Sequence, residues 1–208
     1  MVQIIAATAI NLHDLKSRFQ LHLVDDDQSF REWQDDLPEI SGLEKQQLDR
    51  VKACYLNLVQ YSMLEEAVKM VVVSPLLNLA GFYLPPFYIA TEETVEISDE
   101  DEEVAVKGKI DVLVVKNQLW VLVIESKRPS YSLEVAIPQA LAYMMASPNT
   151  DRPTFGMVTN GSDFRFIKLV RQGIPKYALS NSFDIRDRGN ELYGVLSVLK
   201  RLAEIISV

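Results

Sequence analysis

"KIDVLVVKNQLWVLVIESK", residues 109 to 127, holds two apolar runs joined by Lys116-Asn117-Gln118. Each run has the length of a strand, and a short polar joint between two such runs reads as a β-hairpin. The second run is apolar on both faces, which places it in the middle of a sheet. Yet Asp111 interrupts the first run, and the second ends in Glu125-Ser126-Lys127. A central strand does not bury a lone carboxylate or ammonium without a reason, because each costs several kcal/mol. Glu125 and Lys127 are two apart and share one face. To bring Asp111 directly opposite Glu125, the hairpin needs an odd-numbered turn around residues 117–119 or a bulge.

Two readings account for these charges. One is a structural ion-pair cluster. The other is a metal-binding, catalytic face: paired carboxylates on adjacent strands form a hard-oxygen site for Mg²⁺, and an adjacent lysine orients water or stabilises developing negative charge.

Outward from the hairpin, the chain divides by pattern. Upstream, 11–24 and 29–37 read as helices, and Ser41 with Glu44 forms a capping-box start for a helix through Met63 with Leu43, Leu48, Val51, Tyr55, Leu58 and Val59 on one side. Ser62 and Glu65 repeat the capping spacing before a helix that stops at Gly81, with Pro75 predicting a kink or a tightened last turn. A strand follows Pro85-Pro86. Downstream of the hairpin come a helix over 132–146 with Pro138 in its first turn, two strands around Asn160-Gly161, and an amphipathic helix over 189–206 with Leu192, Val195, Leu196, Leu199 and Leu202 inward. The expectation is an α/β fold with a mixed central β-sheet flanked by helices. Residues 1–60 are expected to be an N-terminal helical extension packed on a core domain of 61–208.

Composition narrows the function. Among 208 residues, 48% are hydrophobic and 24% charged, as in a soluble globular protein. No run is long enough for a membrane helix, and the apolar start lacks a basic stretch, which argues against a signal peptide. One cysteine, Cys54, and two histidines, His13 and His22, exclude an internal disulfide and a zinc-type ligand set. Together these point to a cytoplasmic protein. The net charge of -8 excludes a generic basic coat. Residues 1–126 carry 10 basic and 22 acidic side chains, whereas 127–208 carry 11 and 7. A nucleic-acid surface is therefore expected only on the C-terminal part. Eight acids lie in residues 92–103, which reads as a solvated loop or an edge hairpin.

Asp111, thirteen intervening residues, then Glu125-Ser126-Lys127 across a hairpin resembles the core of the PD-(D/E)xK, restriction-endonuclease-like nucleases. Glu65, ten residues before Pro75-Leu76-Leu77, resembles that family's first core helix. "QALAY" (139–143) and "VTNGSDFRF" (158–166) resemble motifs in the branch that contains the nuclease domain of type I restriction motor subunits. The resemblance spans about residues 60–170 and lacks the helicase part. It implies a restriction-endonuclease-like core acting alone or with another chain, as a divalent-metal-dependent nuclease on DNA. A homodimer or a partner restriction or repair subunit is the expected assembly. The alternative is a catalytically silent nuclease-like module that binds a protein or nucleic-acid partner. RNA is a weaker substrate, since no RNA-binding motif lies outside the core.

On this reading Asp111 and Glu125 hold Mg²⁺ or Mn²⁺, the Ser126 backbone carbonyl is a third oxygen, and Lys127 positions or activates water. Glu65 either reaches the site or merely completes a capping box with Ser62, and Glu66 is its fallback. Lys69, four residues on from Glu65, is expected to pair with it along the helix. Gln139 and Tyr143 share a helix face turned to the site. Arg128 should point away from Lys127. Arg152, Arg165, Lys168 and Arg171 supply local charge for phosphates. Tyr131, Phe155, Phe164 and Phe166 pack the core or stack bases.

Overall fold

The computed structural model describes residues 3–99 and 104–207. Nine strands among them form one mixed sheet. The strands are β1 (Gln3–Ala6), β2 (His22–Leu23), β3 (Phe87–Asp99), β4 (Val104–Lys116), β5 (Leu119–Ser126), β6 (Thr154–Thr159), β7 (Asp163–Val170), β8 (Lys176–Leu179) and β9 (Phe183–Asp184). They run in the order β1-β4-β5-β6-β7-β8-β2, with β3 beside β4 and β9 beside β7. The helices are α1 (Leu12–Phe19), α2 (Gly42–Leu58), α3 (Glu65–Val68), α4 (Ser74–Leu79), α5 (Leu133–Met145) and α6 (Leu192–Ser207). Helices α2, α3, α4 and α6 pack one face of the sheet with Leu122, Ile124, Phe164 and Phe166. Helices α1 and α5 cover the other with Val123, Val158 and Ile167. No helix among the described residues is long and apolar enough to cross a membrane.

The hairpin β4–β5 solves the register problem with a bulge. Its turn has two residues, Asn117 and Gln118, with φ of 48° and 67° as a twisted hairpin turn requires. That turn pairs Lys116 with Leu119 and Val115 with Trp120. The ladder then shifts between Val114 and Val115, so Val114 faces Leu122, Leu113 faces Val123 and Val112 faces Ile124. Val121 is the extra residue, and it shares the α2–α6 side with Leu122. Continued by one residue, this register sets Asp111 across from Glu125. Without the bulge every later side chain of β5 would exchange faces.

Beyond Val112 the two strands part. β5 runs on beside β6 in parallel, with Glu125 opposite Val158 and Ser126 opposite Thr159. β4 turns to pair with β1 through residues 104–107. Residues 108–110 are paired with β3 alone. The faces of β4 exchange in this gap: Val106 and Ile110 lie in the α5 layer, as do Leu113 and Val115, although alternation would put them on opposite sides. Gly108 lets the layers close here. A Cβ on it would meet Tyr143 Cε1 and the Ala7 side chain at 2.7 Å.

Several expectations need correction. The helix expected over 11–24 ends at Phe19, because Gln20 adopts a left-handed φ of 52°, and His22–Leu23 pair with β8. Residues 3–6 form a strand, so the first sixty residues are not purely helical. Residues 31–33 form only a single 3-10 turn. The α2 capping box at Ser41 and Glu44 forms, but Leu43 is 67% exposed and only Leu48, Val51 and Tyr55 are buried. Pro75 tightens nothing: lacking an N–H, it follows a π-helical turn, Lys69–Val73, in which the Ser74 N–H bonds to the Lys69 carbonyl five residues back. Pro138 lies in the second turn of α5, which starts at Leu133 behind a Ser132 cap. Strands β2, β8 and β9 and the N-terminal β1 carried no sequence expectation. The inner face of α6 is as expected, with Leu192, Val195, Leu196, Leu199 and Leu202 all fully buried. The acidic run lies on outer strand β3 as far as Asp99, and residues 100–103 of it lie outside the described residues.

Gly108→Ala tests the closure of the layers at the gap. The added methyl overpacks Tyr143 and Ala7, and the variant should lose about 1–3 kcal/mol of stability in a urea titration.

Candidate active site

The gap between β4 and β5 receives side chains from the sheet and from both helical layers. Asp111 sits where β4 changes faces. Its Oδ2 accepts the Ser126 N–H at 2.7 Å, so β5 is tied to β4 by a side chain just past the end of their backbone ladder. Opposite Asp111 on β3 is Glu92, with a φ of 55° that is rare in a strand.

Glu125 is 1% exposed. Lys127 Nζ donates to its Oε1 at 2.5 Å and to Gln139 Oε1 at 2.9 Å. Gln139 Nε2 in turn donates to the Tyr143 hydroxyl at 2.8 Å, one turn along α5. The spacing of Gln139 and Tyr143 thus places both on the site-facing side of their helix. From the other layer, Lys69 Nζ lies 3.0 Å from Asp111 Oδ1, 3.4 Å from Glu65 Oε1 and 3.9 Å from Glu92 Oε1. The capping box expected of Ser62 and Glu65 does not form. Ser62 is left-handed with a φ of 56°, Leu64 is the α3 N-cap, and no side chain caps it. Glu65 is therefore directed to the site through Lys69, whereas Glu66 is exposed.

The structure thus brings together Asp111, Glu125, Ser126, Lys127, Glu65, Gln139 and Tyr143. It adds Lys69 and Glu92, whose reach over the sheet no local pattern announces. It also gives Asn160 a second task. In the β6–β7 turn its Oδ1 accepts from the Ser162 and Asp163 N–H groups, while its Nδ2 binds the Tyr131 carbonyl at 2.8 Å. The loop that follows Lys127 is thereby fixed to the neighbouring strand.

Most of the basic residues expected to meet phosphates are engaged elsewhere. Lys168 pairs with Glu32 at 2.6 Å. Arg171 binds the carbonyls of Met145, Ser147 and Asn149 behind α5. Arg165 binds the Ser180 carbonyl and Glu134. Arg152 is exposed near Trp120, at the opposite end of β5 from Glu125. Arg128 is exposed beside Ser62, Met63 and Leu64, next to the site. Phe155, Phe164 and Phe166 are core residues, and Tyr131 is 49% exposed.

The electrostatics are those of too many acids in too little water. Burial, together with the Asp111 carboxylate, pushes Glu125 up to about 8 despite the Lys127 ammonium. Burial and Asp111 also raise Glu65. Burial works against the charge on Lys69, but Asp111 and Glu65 outweigh it and hold Lys69 above its usual value. The Tyr143 phenol is pushed up to about 12 by burial and by Glu125, so it stays neutral and able to accept from Gln139.

Asp111 and Glu125 fit the oxygen donors of a divalent ion. Glu125 Oε2 is buried with no hydrogen-bond partner among the described residues, and burial, followed by the Asp111 carboxylate, disfavours its ionised form. Among those residues, no three His, Cys, Asp or Glu side chains converge into a ready-made cage.

The raised Glu125 has a measurable sign. Folded protein keeps this carboxyl protonated where the unfolded chain has released the proton, so stability falls as pH rises from about 4.5 to about 8 and is level above. In chelator, Glu125→Gln should abolish that component and exceed wild type by up to about 5 kcal/mol above pH 8. Urea titrations across this range check it.

No curated protein matches the chain. A solved structure titled "cryoEM structure DrdV-DNA complex" matches with a TM-score of 0.49 and 16% identity, over 74% of this chain and 14% of that one. The chain therefore spans about a seventh of the length of that protein. A model of the type I restriction enzyme R protein N terminus matches residues 26–173, from before α2 to just past β7. Over most of its length, then, this chain is a member of the type I restriction enzyme R protein N-terminus family.

Proposed function

We propose that the chain is a divalent-metal-dependent nuclease that hydrolyses DNA phosphodiester bonds in the cytoplasm. The observation that carries the reading is the bulge-set register, which puts Asp111 across from a buried Glu125 whose second oxygen has no partner. Asp111 and Glu125 would hold Mg²⁺ or Mn²⁺, with the Ser126 carbonyl as a further oxygen. When bound, such an ion supplies Lewis-acid stabilisation of phosphoryl oxygens and acidifies water.

The chain's own groups do the remaining work. Lys127 presents an ammonium at the rim of the site, aimed by Gln139 and Glu125. There it donates to a phosphate oxygen and orients the attacking water, so that negative charge developing in the transition state meets a fixed donor. Gln139 keeps Lys127 from collapsing wholly onto Glu125. Tyr143, neutral at working pH, fixes the orientation of the Gln139 amide by accepting its N–H. Arg128, exposed beside Lys127, is available to the DNA backbone.

A specific observation favours the alternative of a silent binding module. Lys69 already pairs with Asp111, and Lys127 with Glu125, without any ion. Activity on DNA separates the readings. Purified protein with Mg²⁺ or Mn²⁺ should cut at least one of supercoiled, linear duplex and single-stranded DNA. Asp111→Ala, Glu125→Ala and Lys127→Ala should each lower the rate by about 100-fold or more, and Tyr143→Phe by about 10-fold. If all DNA forms stay intact, or if Asp111→Ala cuts like wild type, the binding module is the better account. Light scattering with and without DNA distinguishes a monomer from the expected homodimer.

A further inference from the structure

Lys69 has no task in the chemistry just proposed, yet three carboxylates surround its ammonium. Its position relative to Asp111 is specific. Asp111 Oδ2 already accepts the Ser126 N–H, so Oδ1 is the less encumbered oxygen for a cation, and Lys69 holds it at 3.0 Å. A divalent ion binds carboxylate oxygen at about 2.0–2.6 Å. An ion and an ammonium cannot share that oxygen without strong like-charge repulsion, so one must leave.

Lys69 is built to leave. It opens the π-helical turn Lys69–Val73, where the helix widens by a residue. With Met70, Ser74, Tyr83, Thr91, Glu92 and Asp111 it lines an open groove of ≈ 490 Å³. Lys127 is confined by contrast, because it is held between Glu125 and the buried Gln139. Glu92, 59% exposed on the groove rim, offers a displaced ammonium an intermediate partner.

We propose that Lys69 is the resident counter-ion of Asp111, that a divalent cation displaces it, and that the released ammonium turns into the groove and takes a DNA phosphate. This rests on the nuclease reading and extends it. Lys69 is a positioning residue: it makes metal and DNA bind cooperatively. Without DNA the ion competes with a tethered cation. With a phosphate in the groove, the displaced lysine has somewhere better to go.

Calorimetry with Mn²⁺ on the full chain, with and without a short phosphorothioate duplex that resists hydrolysis, tests this. Lys69→Met and Lys69→Gln should each bind Mn²⁺ about 10-fold more tightly than wild type in the absence of DNA. The duplex should tighten Mn²⁺ binding to wild type by about 5-fold or more beyond the tightening that its own phosphates give both variants. Lys69→Arg, which keeps the charge, should resemble wild type. Mn²⁺ affinity equal to or weaker than wild type in folded Lys69→Met and Lys69→Gln overturns the displacement. Tighter binding with the DNA effect intact overturns the phosphate step. Absence of Mn²⁺ heat in wild type, or heat indifferent to Asp111→Asn, overturns the nuclease reading and this inference with it.

Discussion

The parting of β4 from β5 is the constraint on which the site depends. An antiparallel hairpin that stayed paired along its full length would present Asp111 and Glu125 to a single helical layer. Here β5 continues beside β6 while β4 turns to β1, and residues 108–110 keep only β3 as a neighbour. Through that gap α5 delivers Gln139 and Tyr143 from one side, and α3 with its π-helical turn delivers Glu65 and Lys69 from the other. The Asp111–Ser126 hydrogen bond replaces the backbone ladder at the fork and holds the two strands at a fixed separation. The buried β5–β6 pairing and the Asn160–Tyr131 bond keep the far wall rigid.

Charge balance in this gap is unstable by construction. Burial disfavours the charged forms of Glu125 and Glu65, and the Asp111 carboxylate adds to the cost of both. Lys127 is within 2.5 Å of Glu125, yet it does not restore an ordinary carboxyl, because desolvation of a group 1% exposed outweighs one ammonium that also serves Gln139. A buried ion pair that remains this poorly compensated contributes little to stability. A compact divalent charge would satisfy the Glu125 oxygen that has no partner among the described residues and bring the raised Glu125 carboxyl down. That is the physical argument for function over a purely structural cluster.

Much of the core was legible in the sequence, because the signals there are local. The two-run hairpin, the capping box at Ser41 and the inward leucines of α6 depend on periodicity and short-range chemistry. The pairing of Asp111 with Glu125 was legible as a condition, and the structure meets it with a bulge at Val121, which no residue type announces. Short strands such as β1 and β9 escaped because their pairing is entirely non-local. Glu65 was ambiguous for a local reason: the Ser62 spacing suits a cap, but the left-handed Ser62 backbone cannot provide one. Lys69 looked like an ordinary helix partner of Glu65. Its second partner, Asp111, is 42 residues away in sequence and becomes a neighbour only through the fold. The basic residues fared worst, since charge alone does not tell whether an arginine faces DNA or, like Arg171, the end of a helix.

Irregular backbone gathers around one carboxylate. The bulge at Val121 sets the register of Asp111, Glu92 opposite it has a φ of 55°, β4 exchanges faces at it, and a π-helical turn presents the lysine that binds it. Each departure carries a cost: a left-handed non-glycine residue alone costs about 1–3 kcal/mol. A structural salt bridge needs none of them, because a regular strand and helix can present a pair of opposite charges in favoured geometry. Left-handed residues also occur elsewhere, at Gln20, Asp36, Ser62, Asn117 and Gln118, but the face exchange, the left-handed Glu92 and the lysine of the π-helical turn meet at Asp111, which supports the proposed role of that carboxylate in holding a ligand.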